Sequence, residues 1–552
     1  MNNKNSFFRS SVGLAAISLG AACTNGTDEV APQPVQELDT SLAQTAVNTP
    51  EEPPVQLQEI AYLKASNTGN GDNFGAGGTL SGDAVSLSKD GLTLAVGAPF
   101  ESSGATGADG DQSDDAMYGA GAVYVFTLVG EDWEQQAYLK ASNPGIADNF
   151  GFITVLSADG ETLAVSANFE ASGDAGVGAN QNDDSIPQAG AVYIFTRTGN
   201  EWDQQAYIKA SNTGEIAQGE AFGDGDQFGT AMTLSDNGNV LAVSSITEDS
   251  GSPGINGDQT DNSTRSAGAV YIFRRDGENW SQTSYIKPSN PGEGDYFGYA
   301  LSLTADGRRL AVGSYDEGGS LAANNEQQDD DLDGAGAVYV FDYNTEGWHQ
   351  TAYLKASNAE RSDSLGVSVA ISDDGNTLVA TALDEDGMTT GINEFPEPDR
   401  DSDTSAGAVY AYVYANGRWT QQAYIKASNT GANDWFGSRL ALSGSGDVLA
   451  VGAQLEDSSA RGIDGEQGND SATEAGAVYL FARSGDTWAQ TAYMKGSNTE
   501  AFDEFGSSLS LNRDGSLIAI GAQYEDSMAV AIGGDQADNS GFDTGAVYLF
   551  SR

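Results

Sequence analysis

Residues 297–313 read FGYALSLTADGRRLAVG, and residues 336–355 read GAVYVFDYNTEGWHQTAYLK. Large and small side chains alternate through the first seven positions, which is the period of a strand, and a Thr-Ala-Asp-Gly turn follows. The segment that starts at Gly336 is apolar on both faces, as expected for a strand in a sheet covered on both sides. The two stretches therefore predict four antiparallel strands in a fixed order.

This four-strand unit occurs seven times along the chain. The phrase Gly-Ala-Val-Tyr starts at Gly121, Gly190, Gly268, Gly336, Gly407, Gly476 and Gly545. The phrase Ala-Tyr-Leu/Ile/Met-Lys-x-Ser-Asn alternates with it and, with Ser in place of the first Ala at residue 284, starts at Ala61, Ala137, Ala206, Ser284, Ala352, Ala423 and Ala492. Seven such repeats predict an all-β fold, a seven-bladed β-propeller of four-stranded antiparallel blades over residues 55–552.

The ends of the repeat region predict how the ring closes. The last repeat stops at Arg552 after its third strand, and residues 55–64 supply a spare fourth strand ahead of the first repeat. We expect the N-terminal strand to pair with the last blade. An open solenoid would instead need polar caps, and neither end resembles one.

The first 22 residues predict an export signal. Lys4 and Arg9 precede the apolar run 11–22, which is too short to span a bilayer as a helix. Residues 19–23, Leu-Gly-Ala-Ala-Cys, resemble the lipobox of bacterial lipoproteins, in which the cysteine is lipidated and becomes the first mature residue. Gly20 stands where Leu is usual, so ordinary cleavage that leaves a free thiol at Cys23 is the alternative.

Residues 23–54 predict a disordered tether, because they are acidic and Pro-rich with few large apolar side chains. The lipoprotein resemblance implies a lipid anchor at the outer membrane or cell surface, since Thr24 rather than Asp follows the cysteine. A periplasmic or secreted protein is the alternative. We expect a monomer that contacts the membrane only through the N-terminal lipid.

Composition excludes several classes of function. The chain has 80 Asp and Glu against 24 Lys and Arg, a net charge of −56, so it offers no basic surface for nucleic acid. It holds one His, His349, and one Cys, Cys23. These counts exclude zinc sites built from Cys and His, Cys-His nucleophiles and a disulfide framework, and leave a Ser-His-Asp triad only if His349 serves it.

The repeat openings resemble a known family. Phe-Gly opens six repeats, at Phe74, Phe150, Phe228, Phe297, Phe436 and Phe505, and Val96-Gly-Ala-Pro99 follows the first. This resembles the FG-GAP repeat of integrin α-subunit propellers and of many bacterial surface proteins. The fifth repeat departs with Ser364-Leu-Gly366. Calcium-binding members carry an Asp-x-Asp-x-Asp-Gly loop between these two strands, which here is a short turn, so that calcium site cannot be transferred.

The negative charge is concentrated in the loops between second and third strands. These loops hold 39 of the 80 acidic residues, opposed only by Arg265, Arg400 and Arg461. Antiparallel order places them on one face of the ring, opposite the tight turns. We therefore expect a strongly negative loop face.

The loops share Glu-Asp-Ser near the start and further Asp residues near the middle. Carboxylate oxygens within a short Gly-containing loop suit Ca²⁺, which takes six to eight oxygen ligands. The candidate ligands are Glu248, Asp249, Asp258, Asp261, Glu456, Asp457, Asp464, Asp470, Glu525, Asp526, Asp535 and Asp538. The alternative is that these residues form Asx-turns in solvated loops.

Other recurrent residues favour structural roles. The Trp residues at 133, 202, 280, 348, 419 and 488 share one repeat position and predict packing rather than stacking of a ligand. The Lys that ends each fourth strand predicts an ion pair with a loop carboxylate. His349 is interpreted as a surface substitution, while Trp435 and Phe395 depart from the repeat pattern and could mark a binding spot.

Two classes of function remain open, and a purely structural role is a third. Repetition of one loop favours a non-enzymatic binding or adhesion module for a protein or glycan, because an active site needs one unique constellation. A carboxylate-based polysaccharide-active enzyme, a glycosidase or lyase, is the alternative. A purely structural envelope protein, kept soluble by its charge, is the third.

Overall fold

The computed structural model describes residues 56–77, 83–214, 225–319, 332–393 and 404–552. Residues Val55–Arg552 form one compact unit. The predicted signal peptide, the tether, Cys23 and Phe395 lie outside the described residues. The compact unit contains all seven repeats.

All regular structure in these residues is β-strand. The first six strands are β1 (Gln58–Leu63), β2 (Val85–Leu87), β3 (Thr93–Ala98), β4 (Gly107–Ala108), β5 (Ala122–Val129) and β6 (Asp132–Lys140). The next twelve are β7 (Thr154–Leu156), β8 (Thr162–Ala167), β9 (Ala191–Thr198), β10 (Glu201–Ile208), β11 (Met232–Leu234), β12 (Val240–Ser245), β13 (Ala269–Asp276), β14 (Asn279–Ile286), β15 (Leu301–Leu303), β16 (Arg309–Ser314), β17 (Ala337–Asn344) and β18 (Gly347–Leu354). The last eleven are β19 (Leu365–Ile371), β20 (Thr377–Ala382), β21 (Ala408–Ala415), β22 (Arg418–Ile425), β23 (Phe436–Leu442), β24 (Val448–Ala453), β25 (Ala477–Ser484), β26 (Thr487–Met494), β27 (Phe505–Leu511), β28 (Leu517–Ala522) and β29 (Ala546–Ser551).

The strands form seven antiparallel sheets, which confirms the predicted seven-bladed β-propeller. Within a blade the strands lie side by side in chain order, as in β7-β8-β9-β10. Blade one carries β4 as a short extra strand beside β6. Blade seven consists of β27, β28 and β29 together with β1, which pairs with β29 so that Tyr62 lies opposite Tyr548.

Apolar side chains of neighbouring blades pack against each other and form the core. One such cluster joins Val123 and Val125 of blade one to Val165 and Tyr193 of blade two. The first five residues of the third strand are buried in every blade, because both faces of that strand are covered. Phe150 of the Phe-Gly opening packs edge-on against Tyr193, with ring centroids 5.3 Å apart.

The glycine of the Phe-Gly opening is required by the close approach of the blades. Gly151 has a φ of +93°, and a Cβ there would lie 2.4 Å from the carbonyl oxygen of Ala122 in the preceding blade. Only glycine tolerates this conformation and this contact. In blade five Leu365 stands in place of Phe and is fully buried, so the apolar position is kept.

The tight turns between first and second strands meet around the axis of the ring. Backbone hydrogen bonds link turns of neighbouring blades, from Arg513 N to the Lys89 oxygen (3.0 Å) and from Ala158 N to the Asp236 oxygen (3.0 Å). Lys89 and Arg513 each form ion pairs with both Asp236 and Asp373. These four charges come from blades one, seven, three and five, so they meet at the axis and close that end of the ring.

The long loops leave the blades at the opposite end, as antiparallel pairing requires. We call this side of the ring, formed by the loops between second and third strands, the loop face. No helix in the described part of the chain has the length and apolarity needed to cross a membrane.

Candidate functional site

Seven buried ion pairs lie beneath the loop face, which confirms the predicted pairing of the recurrent Lys residues. Each pair joins the Lys at the end of the fourth strand to the Glu near the start of the long loop of the same blade, with N–O distances of 2.7–3.1 Å. The pairs are Lys64–Glu525, Lys140–Glu101, Lys209–Glu170, Lys287–Glu248, Lys355–Glu317, Lys426–Glu385 and Lys495–Glu456. Seven of the loop carboxylates are therefore neutralised internally.

The surroundings of Glu248 show how such a charge is accommodated. Its Oε2 accepts hydrogen bonds from Lys287 Nζ (2.8 Å) and from the Ser250 backbone N–H (3.1 Å). Its Oε1 accepts hydrogen bonds from the Tyr285 hydroxyl (2.7 Å) and from Asn212 Nδ2 (3.2 Å). Burial lowers the pKa of Lys287, while the negative charge of Glu248 opposes this shift. With four donors on one carboxylate, the buried charge is paired and solvated by protein groups.

The Asn in this network belongs to the preceding blade. Asn212 follows β10 of blade two, yet it donates to Glu248 of blade three and accepts a hydrogen bond from the Tyr271 hydroxyl of blade three (2.7 Å). Its Nδ2 also donates to the Gln259 carbonyl in the middle of the blade-three loop (3.4 Å). The Ser-Asn and Asp-Gln phrases are thus two halves of a clasp between neighbouring blades, which we call the interblade clasp.

The twelve candidate calcium ligands fall into three structural groups. Glu248, Glu456 and Glu525 are the buried members of the ion pairs just described. The Asp that follows each Glu accepts a backbone N–H across the base of the loop; these bonds are Asp249 with Ser266 (2.7 Å), Asp457 with Glu474 (2.8 Å) and Asp526 with Asp543 (2.9 Å). These hydrogen bonds join the start of each loop to its end, so the three Asp carboxylates serve to close the loop.

The third group lies further along the loops. Asp258, Asp261, Asp535 and Asp538 each accept the backbone N–H two residues on, the geometry of an Asx-turn. Asp464 accepts the backbone N–H of Tyr493 (3.0 Å), and Asp470 is exposed. Within the described residues, no group of three or more His, Cys, Asp or Glu side chains is arranged to hold a metal ion. Within each loop, the four residues expected to hold one Ca²⁺ are therefore divided among these three arrangements.

A second set of buried carboxyls was missed by reasoning from the sequence. An Asp two residues before each Phe-Gly opening, or before Leu365-Gly366, is buried beneath the loop face; the set comprises Asp72, Asp148, Asp226, Asp295, Asp363, Asp434 and Asp503. Burial raises the pKa of Asp72, Asp148 and Asp434 to about 7 and of Asp503 to about 8. The only sign of this set in the sequence is that Asp recurs two residues before each repeat opening.

The recurrent Trp residues pack between blades, as predicted. Five of the six are buried, and Trp419 is half-buried. Where the preceding blade supplies a Gln, the indole N–H donates to it, as from Trp280 to Gln205 Oε1 (3.0 Å). His349 is exposed on β18, which confirms its interpretation as a surface residue. Trp435 is half-buried and packs against the small apolar cluster of Tyr299, Val367 and Leu383.

Comparison with known proteins supports the fold. A family model described as "FG-GAP repeat" matches residues 280–341 and 419–481, each running from the Trp of one fourth strand to the Phe of the next third strand. No curated protein matches the chain.

Several solved structures show a limited similarity to this chain. A putative 6-phosphogluconolactonase from Bacteroides uniformis shares 9% identity, with a TM-score of 0.40 over 75% of this chain and 84% of that chain. The Cps50 (Swd1) β-propeller domain of Myceliophteria thermophila shares 10% identity, with a TM-score of 0.45 over 85% and 96% of the two chains. Chaetomium thermophilum Sqt1 shares 14% identity, with a TM-score of 0.42 over 90% and 98%. The chain is therefore a seven-bladed β-propeller in which two segments match the FG-GAP repeat.

Proposed function

We propose that this protein is a non-enzymatic binding or adhesion module of the cell envelope, which engages a protein or glycan through its loop face. The FG-GAP propeller fold is consistent with a binding or adhesion module. The supporting observation is that the recurrent polar residues of the loop face serve the architecture. Lys, Glu, Asn and Gln are engaged in ion pairs and interblade clasps. Such bonds fasten the described parts of the loops to the blades, which suits recognition by a preformed surface.

The position of the module in the cell is part of the same proposal. Residues 1–22 direct export, Cys23 carries a lipid, and residues 23–54 tether a monomeric propeller to the outer membrane or cell surface. Metabolic labelling with a radioactive fatty acid tests the anchor. Wild type should incorporate label and the Cys23→Ser variant should not. Equal labelling of both proteins would overturn the lipid anchor.

One binding screen tests the proposed activity. The mature protein is immobilised through its N-terminus and exposed to arrays of glycans and extracellular matrix proteins, and the same preparation is incubated with polysaccharides while reducing ends are assayed. Saturable binding without turnover supports a binding module. Release of reducing ends or of unsaturated products would overturn it in favour of a glycosidase or lyase. Absence of any binding or turnover would favour the structural alternative.

Calcium dependence belongs to this proposal as well. Exposed carboxylates such as Asp258, Asp470 and Asp535 offer the oxygen ligands that Ca²⁺ takes, whereas Glu248 already accepts four hydrogen bonds. The test compares the melting temperature and loop proteolysis in CaCl₂, in EDTA, and in NaCl of equal ionic strength. A specific site raises the melting temperature in CaCl₂ above the NaCl control. Identical behaviour in all three buffers would exclude calcium.

A further inference from the structure

The first strands of the seven blades surround a cavity of about 210 Å³ on the axis of the ring. Most of its wall is small or aliphatic, with Val85, Met232 and Leu509 as examples. Among the described lining residues only Asp83 and Arg439 are charged, and they pair with an N–O distance of 3.4 Å. The turns with Lys89, Asp236, Asp373 and Arg513 close one end of the axis, so we expect access from the loop face.

Two repeat positions surround the loop-face end of this cavity. One directly precedes the Phe-Gly opening, and the other directly follows the second strand. Because the blades are homologous, the seven residues at each position lie on one circle about the axis. Their side chains differ between blades, unlike the recurrent Lys, Glu and Asn. We call this end of the axis, represented by Tyr296, Tyr315, Trp435, Asn149, Asn168 and Gln454, the axial mouth.

One arc of the axial mouth is aromatic. Tyr296 and Tyr315 of blade four stack with their planes 7° apart and their centroids 5.3 Å apart. Tyr299, which lines the cavity, meets Tyr315 edge-on at 4.5 Å. Trp435 of blade six belongs to the same apolar cluster and is half-buried, like Tyr296 and Tyr315. Three partly exposed aromatic residues thus lie at the axial mouth, and one of them, Tyr315, contacts Tyr299 of the cavity wall.

Other positions of the axial mouth, in blades two and six, carry amides whose side-chain oxygens lack partners in the described residues. Asn149 and Asn168 of blade two and Gln454 of blade six are 6%, 3% and 2% exposed. Their side-chain oxygens make no hydrogen bond within the part of the chain that the structure describes. Buried polar atoms nearly always have a partner, so each exception needs a physical explanation, such as strain, a bound water or ion, or a functional role. By repeat position, these acceptors lie on the same two circles as the aromatic side chains.

We propose that the axial mouth binds one neutral sugar ring, such as the terminal unit of a glycan. Aromatic faces cover the apolar face of a sugar, and amide oxygens accept hydrogen bonds from its hydroxyls. The acidic loops around the mouth disfavour anions. A cavity of about 210 Å³ is smaller than the roughly 300–1,000 Å³ of common ligand sites, so it admits one ring rather than a chain. This inference rests on the proposed binding function and names its site and ligand class.

Ligand-observed NMR provides the test. The full mature protein is titrated with neutral methyl glycosides of glucose, galactose, mannose and N-acetylglucosamine, and with glucuronate as the anionic comparison. At least one neutral sugar should give a saturable transfer signal. Tyr315→Ala and Trp435→Ala should each weaken its affinity about tenfold or more. Tyr118→Ala, which changes an exposed tyrosine of the blade-one loop, is the matched control and should bind normally.

Asn168→Leu separates recognition from folding. The variant removes a buried oxygen that lacks a partner, so its melting temperature should be unchanged or raised while sugar affinity falls about tenfold. A lowered melting temperature with unchanged affinity would make Asn168 merely structural and contradict the proposal. So would tighter binding of glucuronate than of every neutral sugar, or equal binding by wild type, Tyr315→Ala and Trp435→Ala. If glycans or proteins bind but no sugar enters the mouth, the binding function stands and this inference fails; if nothing binds, both fail.

Discussion

A buried Lys–Glu pair stabilises a blade only while both partners are present, because either charge alone would be left in a medium that solvates it poorly. The Glu248 carboxylate has four donors, of which Lys287 is the only charged one. Removing the Lys therefore leaves an uncompensated charge beneath the loop face. The remaining neutral donors offset part of that cost.

Lys287→Met, which keeps the length of the side chain, should lower the free energy of unfolding by about 3–5 kcal/mol. Calorimetric or urea unfolding measures the loss. The control is Asp447→Asn, which breaks the Arg483–Asp447 pair at 2.9 Å, where Asp447 is 51% exposed. That change should cost less than about 1 kcal/mol. Equal losses of unfolding free energy in the two variants would show that the buried pair contributes no more to stability than the exposed pair.

The buried Asp residues predict an unusual dependence on pH. Burial raises the pKa of Asp503 to about 8, so the folded protein holds a proton that the unfolded chain releases near pH 4. The stabilisation is therefore complete below about pH 4 and is lost as the pH rises towards 8. Asp72, Asp148 and Asp434, with pKa values raised to about 7, act in the same direction.

Asp503→Asn tests this directly. The amide oxygen can still accept the Glu500 N–H that Asp503 accepts at 2.8 Å, but it does not ionise. The variant should match wild type at pH 4 and melt at a higher temperature at pH 8. Asp258→Asn is the control, since a hydrogen bond from Thr260 lowers the pKa of Asp258, which stays ionised from pH 5 to 8. An Asp503→Asn profile parallel to wild type would refute the shift.

At the scale of the element, the fourth strands contain a β-bulge that links one blade to the next. The register of β10 skips Gln205 and that of β14 skips Thr283. The skipped Gln205 accepts the indole N–H of Trp280 in the following blade at 3.0 Å. Thr283 instead donates to Ile272 O in its own blade (3.2 Å), and the indole N–H of Trp348 has no partner in the described residues. The bulge residue thus decides whether the next Trp is satisfied.

Thr283→Gln should supply the missing acceptor for Trp348. We expect a gain of about 0.5–1.5 kcal/mol in the free energy of unfolding, the net value of one hydrogen bond. Gln205→Thr should lower the free energy of unfolding by a similar amount, because it removes the acceptor of the Trp280 indole N–H. Melting temperatures of the two variants check the prediction as a pair. Shifts of the same sign would contradict the role assigned to the bulge.

At the scale of the whole molecule, the net charge of −56 predicts a response to salt. Loop carboxylates outside the buried pairs repel one another across the loop face, and salt screens them because the Debye length falls from about 10 Å at 0.1 M to about 3 Å at 1 M. The melting temperature should therefore rise by several degrees between 0.05 M and 1 M NaCl. Choline chloride should act equally. A flat or falling curve would show that surface repulsion does not limit stability.

The sequence predicted the strands and the number of blades because the burial of strand faces produces a local pattern of apolar and polar residues. Alternation in residues 297–303 and the apolar run from Gly336 depend only on which faces of a strand are covered. Repetition then identified the architecture, and the position of Lys beside acidic loops predicted the ion pairs. The same pattern made Glu248 a calcium candidate, because the sequence of an acidic loop does not show whether a carboxylate contacts a metal ion or the ammonium group of a lysine.

By itself, then, the sequence determined the all-β propeller, the seven repeats, the acidic loop face and the absence of a basic surface. Only the tertiary structure decided that Glu248 pairs with Lys287 and that Asp503 is buried deeply enough to hold its proton. It alone brought Tyr315 and Asn168, from blades four and two, to equivalent positions around one axis. The physical reason is that alternation encodes burial locally, whereas the partner of a polar side chain depends on distances set when blades distant in sequence close into a ring.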